Sequence, residues 1–191
     1  MDVKIVSVPG DWDWQRVCRH ALATVVSDPI GYHVPSDDWK RNLLDSEHSP
    51  IRDLWYTWEW VDIPYWVSVH FVRHSIGITH FVQSQRNDRQ SRYDRDEAKQ
   101  SVPVNHRCVA NAQALINISR VRLCSMASEE TRGAWRLFLD ALEDYDPIIG
   151  DYCVPNCVYR SGLCGEFNSC GYNKSAGFAF AFDKYRSVIH G

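Results

Sequence analysis

Apolar residues first recur at helical spacing between Trp12 and Val26, where Val17, Ala21, Leu22 and Val25 share one face. A shorter helix is predicted from Ser36, a good N-cap followed by Asp37 and Asp38, whose charges suit the positive end of the helix dipole. Leu54–Val61, LWYTWEWV, alternates in part and is rich in aromatics, so it reads as a strand. Asp62 then stands as a cap and Pro64 just inside the start of a helix carrying Tyr65 to His74. The polar, doubly charged stretch Arg86–Lys99 reads as a loop or lid. Cys108–Leu123 has the strongest helical stripe, through Ala112, Leu115, Ile116 and Ile118, and a further helix follows from Ser128 to Glu143. From Asp146 to Gly191 the chain turns rich in Cys, Gly and aromatics, and its AGFAFAF segment reads as a buried strand. The pattern predicts a single α+β domain spanning residues 1–191, with residues 146–191 as a Cys-rich extension.

Composition narrows the function classes. At 191 residues with 45% hydrophobic and 24% charged positions, the chain suits one domain with a substantial core. A net charge of −3 argues against binding nucleic acid through bulk charge. The N-terminal MDVKIVSVPGDWDW lacks the long apolar core of a signal peptide or anchor, and no run is long enough to span a membrane. Seven cysteines without a secretory signal favour reduced thiols and a cytoplasmic setting.

Three constellations could carry chemistry. His70, Arg73 and His74 stand at i, i+3 and i+4, so three potential cations share a helix face. Such crowding is unfavourable unless something negative lies opposite, as a flavin or nucleotide phosphate would. A solvated helix end, or a His-x3-His metal pair, would also account for it. Asn111 and Asn117 interrupt an otherwise apolar helical run that ends near Arg122, and buried amides there need partners. Partners within the helix are the plain alternative. Cys153-x3-Cys157-x6-Cys164-x5-Cys170 places four thiols close together, a set that would suit tetrahedral zinc, with Cys124 able to replace one; buried cysteines without metal are the other reading.

These elements together resemble the flavin-dependent thymidylate synthases. The family's hallmark runs Arg-His-Arg, a spacer, Asn-Glu, a Ser, then Arg-Tyr. Here Arg73-His74 opens the motif, Asn87-Asp88 continues it and Arg92-Tyr93 closes it. Ser75 replaces the second Arg, the spacer is longer and includes Thr79-His80, Asp88 stands for Glu, and Gln90 falls where the Ser belongs. Asn111-Ala112-Gln113-Ala114-Leu115-Ile116-Asn117 followed by Arg122 is similar to a second family element, and His48-Ser49-Pro50 to its His-x-x-Pro element. The resemblance covers Leu44 to Arg132.

The resemblance implies a mixed or antiparallel sheet flanked by helices, and flavin-dependent methyl transfer to C5 of dUMP. It implies FAD as cofactor, NADPH as reductant, methylenetetrahydrofolate as one-carbon donor and a homotetramer whose sites draw on several subunits. Flavin contacts would fall to His48, Arg73, His74, Asn87, Asn111 and Asn117. Nucleotide contacts would fall to His70, Asp88, Gln90, Arg92 and Arg122, with Arg122 against the pyrimidine ring as the catalytic group. Loss of a guanidinium at Ser75 opens two alternatives: another pyrimidine nucleotide as substrate, or a non-catalytic, zinc-stabilised binding protein on the same scaffold.

Overall fold

The computed structural model describes residues 1–25, 33–89 and 94–189. Its centre is a four-stranded, wholly antiparallel sheet of β1 (Asp2–Ser7), β2 (Trp55–Pro64), β3 (Ile78–Val82) and β4 (Pro103–Asn111), in the order β1-β2-β4-β3. Helices α1 (Asp11–Ala23), α2 (Asp37–Asp45), α3 (Tyr65–Val72), α4 (Ala112–Arg122), α5 (Glu129–Glu143), α6 (Pro147–Tyr152), α7 (Asn156–Tyr159) and α8 (Ala176–Ile189) flank it. The α+β class expected from the sequence is the one observed.

β2 organises the core because its alternation is strict where it matters. Tyr56, Trp58 and Trp60 are buried on one face, while Glu59 on the other face pairs with Arg107 of β4 at 2.9 Å. Trp58 stacks on Phe138 (centroids 4.2 Å apart) and Trp60 on Phe71 (4.5 Å), so α5 and α3 are docked by aromatic contacts. The indoles of Trp60 and Trp135 donate to the Ala134 carbonyl and to Ser119 Oγ. Past Trp60 the register shifts and Asp62 adopts φ +56°, a bulge that returns Ile63 to the buried side.

That bulge corrects the helix start expected at Asp62. Asp62 is part of the strand, α3 begins at Tyr65, and Pro64 is its N-cap. Here the first amides of the helix are satisfied by backbone, Tyr65 N–H donating to the Val102 carbonyl and Trp66 N–H to that of Gln100, so no side-chain cap is needed. The helix expected over Cys108–Leu123 is shorter, because residues up to Asn111 belong to β4. The expected AGFAFAF strand is also overturned: Ala176–Ile189 is a helix, with Phe180 77% exposed. Phe178, Ala181, Phe182 and Tyr185 recur at helical spacing and meet the core, whereas the alternation of 178, 180 and 182 was coincidental. The helix after Ser128 and the one after Ser36 start as expected, each with the serine hydroxyl accepting from a first-turn amide.

Among the described residues no helix is long and apolar enough to cross a membrane. Deep in the core, the Tyr56 hydroxyl donates to Asp146 Oδ2 at 2.8 Å, and Oδ1 of the same carboxylate caps α6 through Ile149 N–H. Tyr56→Phe should therefore strand a buried acceptor and cost roughly 1–3 kcal/mol in urea unfolding. An unchanged midpoint and slope would mean that the bond contributes nothing.

Candidate functional site

The C-terminal ends of α3 and α4 meet beside the sheet, and the candidate site is built from that meeting. Arg73 is the C-cap of α3, and His74 N–H folds back to the Phe71 carbonyl at 2.9 Å. Arg122, the last residue of α4, donates from Nε to His74 Nε2 at 2.8 Å and from Nη2 to the His70 carbonyl. Its guanidinium lies 5.9 Å from the centre of the Phe71 ring. Because His74 Nε2 accepts, the hydrogen-bond pattern assigns the imidazole proton to Nδ1. Burial, reinforced by Arg122, His80 and Arg73, pushes the His74 pKa down to about 4. Burial and the neighbouring Arg73 also lower the Arg122 pKa, although an arginine stays charged at neutral pH.

A charge count favours an anion here. Neither Arg73 nor Arg122 has an acidic partner among the described residues. Two helix C-termini supply roughly half a negative elementary charge each. Two guanidiniums exceed that, so about one positive charge remains uncompensated. Arg73 is exposed and screened by solvent, whereas Arg122 is half-buried, so the excess bears mainly on Arg122.

A groove of about 470 Å³ opens nearby between the turn after α3 and the start of α4, lined by Arg52, Ile76, Gly77, Asn111, Gln113 and Asn117, among others. Gly77 adopts φ +71°, and a Cβ there would come within 2.8 Å of Asn111 Oδ1. The backbone can thus approach Asn111, whose N–H donates to the Gly77 carbonyl at 2.9 Å. Asn111 caps α4 by accepting from Ala114 N–H through Oδ1, leaving its Nδ2 without an acceptor among the described residues. Asn117 is exposed and accepts from Arg120 at 3.2 Å. Arg120 is ion-paired to Glu47 and lies over Tyr159, 3.5 Å from its ring centre. Burial works to raise the Glu47 pKa, but hydrogen bonds from Arg120 and Gln113 outweigh it and hold the carboxyl below its ordinary value.

The remaining expected residues are placed less closely. His70 Nδ1 is 2.8 Å from Thr131 Oγ1, which ties its ring to α5. His48 heads the 3-10 turn Ser49–Asp53. Asn87 and Asp88 lie on the exposed connection after β3, Asp88 bonded by the Arg86 guanidinium at 2.9 and 2.7 Å and Asn87 accepting from Arg95 N–H. Gln90 and Arg92 fall outside the described residues. Cys153 is buried in the core and does not share a cavity with the other tail thiols, whereas Cys124, Cys157, Cys164 and Cys170 line one together.

Another cluster escaped the sequence reading. His80 on β3 and His106 and Cys108 on β4 are the one group of three His, Cys, Asp or Glu among the described residues whose ligand atoms all lie within 4.8 Å. His80 Nε2 donates to the His74 carbonyl at 2.8 Å, so its Nδ1 is free to accept from His106 Nε2 at 3.0 Å. One choice of tautomers satisfies that chain as hydrogen bonds, although His106 Nδ1 stays buried without a partner. The cluster supports the His74 turn from below. The signal was present as His-x-Cys on alternate positions, but treating Cys108 as helical hid it. Gly77 was missed for a simpler reason: nothing local in the sequence announces the neighbour that excludes a side chain.

A separate cleft of about 300 Å³ between α2, α6 and α8 includes Asp38, Arg41, Asp45 and Tyr152, and Arg41 there is already paired with Asp151 at 2.7 Å. It contains none of the expected site residues.

The fold recurs among solved structures. It is similar to thymidylate synthase X (ThyX) from Helicobacter pylori, solved with FAD and dUMP, at 14% identity and a TM-score of 0.62, covering 81% of this chain and 99% of that one. It is also similar to a UMP/dUMP methylase, PolB from Streptomyces cacaoi, bound with 5-Br dUMP, at 14% identity and a TM-score of 0.58, covering 78% and 93%. The sequence matches no family model, and no curated protein is similar to it in sequence. At these identities the likeness is one of fold: the chain has the architecture of the flavin-dependent thymidylate synthases.

The buried imidazoles generate a pH prediction. Burial, with His80 beside it, pushes the His106 pKa down to about 3, against an ordinary 6.5, and His74 falls to about 4. Below pH 6.5 the unfolded chain takes up protons that the folded chain refuses. Stability should be full above that pH and drain away as pH falls. His106 alone should remove about 2 kcal/mol by about pH 5. Urea titrations across that range check it, and His106→Gln should flatten the slope. Stability that is level down to about pH 4 would contradict the buried, neutral assignment.

Proposed function

We propose that this protein is a flavin-dependent enzyme that modifies a pyrimidine nucleotide, with reductive one-carbon transfer to C5 of dUMP as the leading reaction. The observation that carries the proposal is the pair of guanidiniums without acidic partners among the described residues, Arg73 and Arg122, the latter bonded to a neutral His74, at positions matching the family motifs. The shared fold supports it. The residues present fit FAD: Arg73 offers a cation without an acidic partner among the described residues, and Asn111 Nδ2 offers an unused donor on a side chain that packs closely against Gly77. Arg73, His74, Asn111 and Asn117 would hold the cofactor, with His48 and Asn87 approaching from the periphery. When bound, the flavin supplies the redox chemistry, with NADPH as the source of electrons and methylenetetrahydrofolate as the source of carbon.

The protein's own part is positioning and polarisation. Arg122 spends donors on His74 and the His70 carbonyl, which fixes the guanidinium plane and leaves its other N–H groups for a uracil carbonyl or phosphate. A fixed cation at the carbonyl edge draws electron density from the ring and readies its C5–C6 bond for addition. Neutral His74 adds a hydrogen-bond donor without a further charge. Asp88, Gln90, Arg92 and His70 complete the nucleotide contacts in this reading. A groove of about 470 Å³ admits only part of a molecule as large as FAD; in this reading the protein is a cytoplasmic homotetramer, as the family resemblance implies, whose copies complete one another's sites.

A second reading keeps the site and changes the nucleotide. Ser75 sits where the family has another arginine, so one charge and a planar donor fork are missing next to Arg73. Calorimetry on the FAD-loaded protein with dUMP, UMP and dCMP separates the readings. Arg73→Ala should weaken FAD by roughly 10- to 100-fold, and Arg122→Ala should weaken the nucleotide by at least as much. Binding of another pyrimidine nucleotide but not dUMP would move the assignment to that substrate. Binding of none would leave a non-catalytic protein on this scaffold.

A further inference from the structure

The Cys-rich tail folds into a region that ordinary packing explains poorly. Between α6 and α8 it contains only the four-residue helix α7 and the 3-10 turn Tyr172–Lys174. Val158 is buried there, but Leu163 is 64% exposed and Phe167 fully exposed. Positive φ angles at the adjacent Ser161 and Gly162, and again at Gly171, turn the chain sharply twice. A segment this poor in buried apolar surface needs another source of order.

Four thiols converge where that source would sit. Cys124 follows the C-cap of α4, Cys157 lies on α7, and Cys164 and Cys170 come from the loop beyond it, yet all four line one cavity of about 20 Å³. That volume is about the size of a single small occupant, far too small for an organic ligand. All four cysteines are free thiols. Glu166 Oε1 lies 3.8 Å from Cys124 Sγ at its edge. No disulfide crosses the cavity among the described residues, and no three of these sulfurs lie within 4.8 Å of one another, so an ion would have to draw them together.

We propose that Cys124, Cys157, Cys164 and Cys170 bind one zinc ion that staples the tail to the end of α4. Four sulfur donors around a space for one ion suit a closed, tetrahedral structural site. Binding exchanges the thiol protons for the metal, so protons are released as four thiolates close onto it. The Arg160 guanidinium reaches the turn at Gly165 and offsets part of the resulting negative charge. Closure couples folding of the tail to the ion. It also fixes the segment two residues beyond Arg122, although the proposal does not depend on flavin or nucleotide binding. Cys153, expected among the ligands from spacing alone, takes no part. The His80–His106–Cys108 group is the competing location.

The test uses the full chain, expressed with zinc in the medium and purified without chelator. Metal analysis should find about one zinc per chain, and a mercurial thiol reagent should release it. Cys157→Ser and a Cys164→Ser/Cys170→Ser double variant should lose the ion, while Cys153→Ser and Cys18→Ser keep it. Should the ligand variants fail to fold, cobalt added to chelator-treated wild-type protein should give thiolate-to-metal charge-transfer absorption. Metal-free wild-type protein without that absorption would overturn the proposal. So would zinc retained in the double variant, zinc lost with Cys108→Ala but not with Cys157→Ser, or intact mass showing these cysteines oxidised to disulfides.

Discussion

The docking of α3 and α5 onto the aromatic face of β2 is the constraint on which the site depends. Trp58 against Phe138 and Trp60 against Phe71 set the distance of each helix from the sheet. Phe71 lies one turn before the cationic end of α3 and also faces Arg122, so the same ring serves the core and the site. The N-terminal amides of α3 are held by the backbone at residues 100 and 102, which orients the helix from its other end. Arg73 and His74 are therefore presented by a helix anchored at both ends. The electropositive cluster is expensive to hold together, and this anchoring is what holds it.

Much of that arrangement could be read from the sequence, and the exceptions share a cause. The strand of β2, the helices beginning at Ser36 and Ser128, and the grouping of Arg73 with His74 all follow from local spacing and capping. Arg122 could be brought to the same place only through the family resemblance, since nothing local joins residues 48 positions apart. Errors arose where two periods overlapped. Residues from Cys108 to Asn111 extend the helical stripe of α4 backwards, yet pairing with β2 and β3 claims them for the sheet. In AGFAFAF the alternation is coincidental, and the Ala-rich composition with the helical spacing of Phe178, Ala181, Phe182 and Tyr185 favours a helix. Tertiary pairing decided the first case and helix propensity the second.

The site's electrostatics give the departures from the family pattern a physical meaning. His74 is neutral because it is half-buried among cations, so the cluster carries two charges rather than three. Asp88 forms a bidentate contact with Arg86 on an exposed loop, where such a pair contributes little to stability. With Ser75 in place of a third guanidinium, the junction offers two arginines, Arg73 and Arg122. The fold is similar to that of enzymes solved with FAD and dUMP or a dUMP analogue.

The central claim is that the uncompensated charge between α3 and α4 exists to hold a flavin beside a pyrimidine nucleotide. The most direct measurement is the visible absorption spectrum of the protein after incubation with FAD and desalting, recorded before and after dUMP is added. The account predicts a flavin band that stays with the protein and shifts saturably when the nucleotide binds beside it. A desalted protein without flavin absorbance, at FAD concentrations that saturate known flavoproteins, would contradict it.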